Sequence, residues 1–244
     1  MIDETRTGRP AVICHMLSSL DGKISGRFLS APETAPALRE FARLRGALRC
    51  TATLYGTTTM AESYADGLAP RLPDEPQPLA RTDWLPRRET EQLVISVDPN
   101  GVLAWHSPVL EKPGRPPAQV VEVLTQQVPD AYLHYLRRLG ISYLFAGQDH
   151  LDCRLLLQKL RALCGVERLM LSGGGVINGV FLQSGLVDEL SLVLAPAVEG
   201  DPDAVSLFEP SVFAPGTAPA ALRLLGSQPL SGGALWLRYE MSAG

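Results

Sequence analysis

Long apolar runs, paired cysteines and an excess of one charge are all missing from this 244-residue chain, and each absence closes off a class of protein. No stretch approaches the ~20 uninterrupted apolar residues that a membrane-spanning helix requires, so no membrane partner is expected. The opening residues, MIDETRTGRP, are polar and lack the apolar core of a secretory signal, which points to the cytoplasm. The four cysteines, Cys14, Cys50, Cys153 and Cys164, form no C-x-x-C pair and match no zinc spacing. Reduced, mostly packed thiols and no metal are therefore expected. Charged residues make up 20% of the chain with a net charge of −4, which gives no electrostatic reason to bind nucleic acid. The expected partner is a small molecule or another protein.

What is present is a core-forming α/β pattern. Hydrophobic residues are 45% of the chain, enough for a large core. Strand-like runs appear at 11–16, 51–56, 92–98, 118–125, 141–147, 166–174 and 186–196. Helical patterns fall between them at 32–48, 57–65, 129–140, 151–165 and 175–185. Gly140 and Gly165 are placed to close two of these helices, and Pro36 suits a first turn. Residues 220–241 read as two strands joined at Ser231–Gly233. The alternation implies an α/β fold with a mostly parallel central sheet, helices on both faces, and an antiparallel C-terminal strand pair. One domain over 1–244 is the simplest organisation, with a core from about 11 to 240 and a flexible N-terminus at 1–10. Residues 66–91 are proline-rich and polar and read as a long loop, a solvated connection first and a lid or oligomer contact as the alternative. Residues 101–117 read as irregular.

Two stretches carry chemistry. Ser172-Gly173-Gly174-Gly175 stands between a strand and a helix, where ligands of open α/β sheets bind and where bare backbone lets a phosphate approach helix amides. Val176 and Ile177 are expected to point into the sheet and anchor that helix. The spacing is not G-x-G-x-x-G, and no Lys-Ser or Lys-Thr follows, which disfavours the Rossmann and Walker sites. A second anion-receptive helix start lies at Gly56-Thr57-Thr58-Thr59, with a threonine as the expected cap. Two such starts in one sheet suit a ligand with two phosphate regions, such as a dinucleotide. His15 reads as a packed histidine within the first strand; His106, His134 and His150 read as loop or surface residues.

The runs MLSSLDGKISG, LYGTTTM and SGGGVINGVFLQSGLVDELSLVLAPAVEGD resemble the reductase domain of the riboflavin-biosynthesis bifunctional deaminase/reductase, of the dihydrofolate-reductase-like superfamily. The resemblance covers about 11–240 and implies a homodimeric, NADPH-dependent reductase of 5-amino-6-(5-phosphoribosylamino)uracil. By position it implies that Ser172, Gly173, Gly174, Gly175, Val176 and Ile177 hold the cofactor phosphates. Gly56, Thr57 and Thr59 would contact the cofactor, Gly147 would flank its groove, and Ser96 would lie on the adenosine side. Asp21 and Lys23, in the L-D-G-K turn, would be the catalytic pair beside substrate and nicotinamide. Two positions depart from the family: Ser172 replaces its usual Glu, and Ser63 replaces an acidic residue four places after Thr59. Each puts a hydroxyl where a charged acceptor is usual. The zinc motifs of the deaminase half, H-x-E and P-C-x-x-C, are absent, so a reductase alone is expected. Two alternatives keep the fold: an NADPH-dependent reductase of dihydrofolate, a pterin or another small imine or carbonyl, and a nucleotide-binding relative without catalysis.

Overall fold

The computed structural model describes residues 8–74, 76–211 and 219–241. In chain order the elements are β1 (Ala11–Ser18), α1 (Ala35–Ala47), β2 (Ala52–Gly56), α2 (Thr57–Ser63), β3 (Gln92–Val97), β4 (Val109–Leu110), β5 (Ala118–Leu124), α3 (Asp130–Leu139), β6 (Ser142–Phe145), α4 (Cys153–Cys164), β7 (Arg168–Leu171), α5 (Gly175–Gln183), β8 (Glu189–Leu194), β9 (Leu222–Pro229) and β10 (Leu235–Met241). They pack as two compact units, one formed by Thr51–Glu167 and the other by Ala11–Cys50 with the chain from Arg168 onward. The flexible segment expected at 1–10 lies outside the described residues over 1–7, and Pro10 is buried.

In the first unit, β3 lies between β2 and β5, all parallel. The outer side of β5 is shared. β4 runs antiparallel along its first two residues, and β6 runs parallel along Val121–Leu124. The two-residue β4 falls in the stretch read as irregular, too short to show a period. β5 reads VVEVL because a strand covered on both faces has no polar side to alternate with. Helix α3 buries Tyr132, Leu133, Tyr135 and Leu136 against this sheet. Gly140 and Gly165 close α3 and α4 in the left-handed conformation, at φ of 74° and 66°, as glycine's lack of a Cβ allows.

The proline-rich segment 66–91 is not a loose connection. Trp84 exchanges both backbone hydrogen bonds with Tyr143 on the open edge of β6, at 3.0 and 2.9 Å. Asp83 accepts from the Phe145 amide at 2.8 Å and pairs with Lys159. An unpaired strand edge is a template for wrong association, and this segment covers it.

In the second unit the strand order is β7-β1-β8-β10-β9. β1 is parallel to both β7 and β8; β10 is antiparallel to β8 and β9. The mostly parallel arrangement with an antiparallel C-terminal pair is the one the alternation of patterns implied. Helix α1 packs Ala37 and Leu44 with Leu17, Val193 and Ala195. Pro36 sits in its first turn.

His15, on β1, is fully buried and stacks on Phe41 with ring centroids 4.4 Å apart. Its Nε2 faces the Phe41 carbonyl at 3.1 Å and its Nδ1 faces the Ser191 hydroxyl at 3.0 Å. A carbonyl only accepts, so Nε2 carries the hydrogen. Trp236 Nε1 donates to Ser191 at 2.9 Å, which leaves the serine hydrogen for Nδ1. The ring is thereby neutral with every polar atom paired. Burial, with the Arg45 charge adding to it, pushes the His15 pKa down to about 4. The unfolded chain protonates His15 near 6.5 while the folded chain resists, so stability is full above pH 6.5 and falls as pH drops towards 4. The loss from this group is about 3 kcal/mol. Urea unfolding of wild type and His15→Gln between pH 7 and pH 4 checks it: the variant lacks this part of the slope.

Candidate functional site

Strand β7 ends at Leu171, and Ser172 fastens the turn by donating its hydroxyl to the His15 carbonyl at 2.8 Å. The glycines that follow meet different demands. A Cβ on Gly173 would lie 2.0 Å from the Ile177 side chain. A Cβ on Gly175 would lie 2.4 Å from the Ser206 carbonyl oxygen, and one on Gly179, a turn later, 2.1 Å from that of Glu209. Gly175 and Gly179 therefore form a bare stripe on α5 that lets residues 205–209 lie directly on the helix. The Glu209 amide donates to the Gly175 carbonyl at 2.9 Å.

Gly173 and Gly175 are buried by this packing, while Gly174 and Val176 reach the surface. Gly174 is the N-cap of α5, in extended backbone, with no side chain capping the first turn. A helix start leaves amides without intrahelical partners and carries partial positive charge. The corner can therefore receive an anion along the line of Gly174 and Val176. The expectation that Val176 anchors the helix is corrected: it is 53% exposed, whereas Ile177 is 8% exposed. Successive residues on a helix point about 100° apart, so one of the two must face outward.

The L-D-G-K turn is engaged in full. Asp21 Oδ1 accepts from the Ser19 hydroxyl at 2.5 Å and the Glu199 amide at 3.0 Å, and Oδ2 accepts from the Gly200 amide at 2.9 Å. These donors, the Ser19 hydroxyl foremost, hold its carboxyl well below the usual carboxylate range. Lys23 Nζ donates to the carbonyls of Pro202 at 3.0 Å and Ala204 at 2.6 Å. Both side chains thus tie down residues 199–206, the segment that continues onto α5.

In the first unit, Gly56 is the N-cap of α2 and Thr57 its first residue. The threonine cap expected there is corrected, because the Thr57 hydroxyl donates to the Val97 carbonyl at 2.7 Å. Thr59 is half-buried on the same short helix. Gly147 adopts φ 120°, and a Cβ there would fall 1.8 Å from the His150 carbonyl oxygen. Ser96 is fully buried and its hydroxyl donates to Glu122 at 3.3 Å.

A match to the RibD C-terminal domain family runs over residues 10–236. The chain belongs to that family. Its members are reductases, and the chain is an oxidoreductase of the RibD type, as the resemblance implied. It is 30% identical over 206 residues to the 2,5-diamino-6-ribosylamino-4(3H)-pyrimidinone 5′-phosphate reductase of Methanothermobacter thermautotrophicus, covering 82% of this chain and 84% of that one. Among solved structures, a pyrimidine reductase-like protein from Corynebacterium diphtheriae superposes with a TM-score of 0.70 at 17% identity, over 100% of this chain and 96% of the other. RibD of Acinetobacter baumannii superposes with a TM-score of 0.62 at 20% identity, over 97% of this chain. This chain spans 59% of that RibD.

This RibD-type chain also holds functional side chains that pattern reading missed. Asn178 donates to the Leu207 carbonyl and Glu199 accepts from the Phe28 amide, which bind the 197–209 segment to its surroundings, while Glu209 accepts from the Ser206 amide within it; the one trace in the sequence is the Gly175-x-x-x-Gly179 spacing. Glu122 was hidden in an apolar run. It is fully buried, and burial, then the nearby Asp98 charge, drives its pKa well above the ordinary 4.5. A carboxyl with a raised folded pKa stays protonated while the unfolded chain ionises. Wild-type stability from this group therefore falls as pH rises above 4.5. Glu122→Gln removes that penalty. Its stability relative to wild type, read from urea midpoints, is expected to climb as pH rises above 4.5; a flat difference would overturn the raised pKa.

Proposed function

We propose that this chain is the NADPH-dependent reductase of a phosphoribosylamino-pyrimidine, converting the ribosyl group to the ribityl chain in riboflavin biosynthesis. The observation that carries the reading is the α5 corner, where Gly174 is the N-cap with no side-chain cap and Val176 is exposed. The named activity of the Methanothermobacter relative, matched along four-fifths of this chain, supplies the substrate class.

The chemistry of the corner supports a nicotinamide dinucleotide in this reading. No side chain caps α5, and backbone amides are the donors that a diphosphate needs. The main-chain N–H groups of Gly174 to Ile177 bind the phosphates in this reading. Gly56, Thr57, Thr59 and Gly147 are kept as proposed cofactor contacts, Thr57 through its main chain because its hydroxyl is donated to Val97. NADPH, when bound, supplies a hydride to the ribose C1, which is electrophilic once the sugar ring opens to an imine. The imine nitrogen takes a proton, and the ring oxygen leaves as a hydroxyl. Ser172 presents no charge at the family's Glu position; its hydroxyl is donated to β1, so recognition of the sugar there falls to neutral groups. The expected catalytic pair, Asp21 and Lys23, enters as the groups that hold residues 199–206 in place, and a proton step at either requires that hold to be released.

A homodimer in the cytoplasm completes the proposal. Leu224 and Leu225 on the outer strand β9 are 51% and 40% exposed, a surface that a second copy would cover. The four thiols are free, which suits a reducing compartment.

Titration with NADPH, followed by turnover at the nicotinamide absorbance, tests the reading. Turnover is expected with the phosphoribosylamino-pyrimidine and none with dihydrofolate; NADPH binding without either would mark a non-catalytic relative. Gly174→Asp places a carboxylate at the cap, where it repels phosphate and occupies the first-turn amides. It is expected to leave the chain folded and weaken NADPH by about a hundredfold. Unchanged affinity in a folded variant would remove the corner from the cofactor site.

A further inference from the structure

Asn178 is a polar side chain with no access to water, on the buried face of α5. Its Nδ2 donates to the Gly173 carbonyl at 3.3 Å and the Leu207 carbonyl at 3.2 Å. Both partners can only accept, so the carboxamide has one orientation; the flipped one would set its oxygen against two carbonyl oxygens. Its Oδ1 has no partner among the described residues and lies 3.5 Å from where a Gly173 Cβ would stand.

The two carbonyls belong to separate pieces of chain. Gly173 is in the turn that delivers β7 into α5. Leu207 is in the segment that lies over Gly175 and Gly179. That segment is held at Leu207 by its amide on the Gly22 carbonyl at 3.0 Å, and at Glu209 by its amide on Gly175. Upstream it is gripped by Asp21 and Lys23. Asn178 is the side chain that joins the glycine turn to this fastened segment, and a buried amide serving two acceptors tolerates little movement in either.

We infer that Asn178 is a positioning residue for the α5 corner: its carboxamide sets the angle at which β7 turns into the helix, and so the aim of the first-turn amides. The inference rests on the reading that those amides hold the cofactor phosphates. Asn178 touches no reacting atom; it acts through Gly173. Helix register alone would leave the turn free to rotate about the bare backbone of Gly173 and Gly174, and the amide removes that freedom.

Asn178→Leu keeps the volume and deletes both donors. NADPH titration and steady-state kinetics on this variant are expected to show a cofactor Kd weakened by about tenfold, with the pyrimidine KM at saturating NADPH held within about twofold. A folded variant that binds NADPH as tightly as wild type overturns the inference. So does an equal loss of cofactor and substrate affinity, which is the signature of general loosening. Where Asn178→Leu does not fold, Asn178→Ser retains a donor and is read on the same scale; failure of both to fold assigns the amide to folding alone and overturns the inference. Wild-type protein that binds no nicotinamide cofactor sinks the cofactor reading itself. Hydrogen exchange of the ligand-free chain then decides the inference: the amides of residues 178 and 209, bonded to the Gly174 and Gly175 carbonyls, lose protection in Asn178→Leu if it holds, and unchanged exchange there overturns it.

Discussion

The close passage of residues 205–209 over the first two turns of α5 is the contact on which the rest of the second unit's site depends. Carbonyl oxygens of Ser206 and Glu209 occupy the space that side chains at 175 and 179 would need. That demand fixes two glycines a helical turn apart. It brings the Glu209 amide onto the Gly175 carbonyl and sets Leu207 within reach of Asn178. From the other end, the L-D-G-K turn holds the same segment through a carboxylate and an ammonium. The result is an amide corner whose position is set by packing on one side and whose opening, at Gly174 and Val176, is on the other.

Elsewhere two buried titratable groups are shifted towards their neutral forms, since an unpaired buried charge costs several kcal/mol. His15 stays uncharged between a carbonyl and a serine. Burial raises the pKa of Glu122 in the interior of the first unit, beside Ser96, and so favours its neutral form. One group resists gaining a proton in acid and the other resists losing one, so the two narrow the range of best stability from opposite sides. The open edge of β6 is treated in the same spirit: its backbone groups are met by Trp84 and Asp83 rather than left to solvent.

Elements with a strong period were legible from the residues. The helices closed by Gly140 and Gly165 have apolar faces and left-handed caps that owe nothing to distant chain. The place of the α5 corner was also legible, because three glycines between a strand and a helix are conspicuous. Their cause was not. A ligand was read into all three, whereas Gly173 answers to Ile177 and Gly175 to Ser206. The Thr57 hydroxyl was read as a cap but is spent on Val97, and the Ser96 hydroxyl was read as a cofactor contact but is spent on Glu122. Apart from Gly173, whose neighbour Ile177 is one helical turn on, the partner lies more than twenty residues away in the chain, beyond what spacing can report.

The sequence by itself determined the local alphabet: which runs are strands, which are helices, where they stop, and which family motifs they carry. Those properties follow from side-chain period, capping and backbone freedom within a few residues. Tertiary structure alone decided what the polar groups of the motifs bind. A hydroxyl, a carboxylate or a bare glycine is indifferent in sequence between a ligand and a neighbouring carbonyl, and only the packed chain shows which of them fills the space.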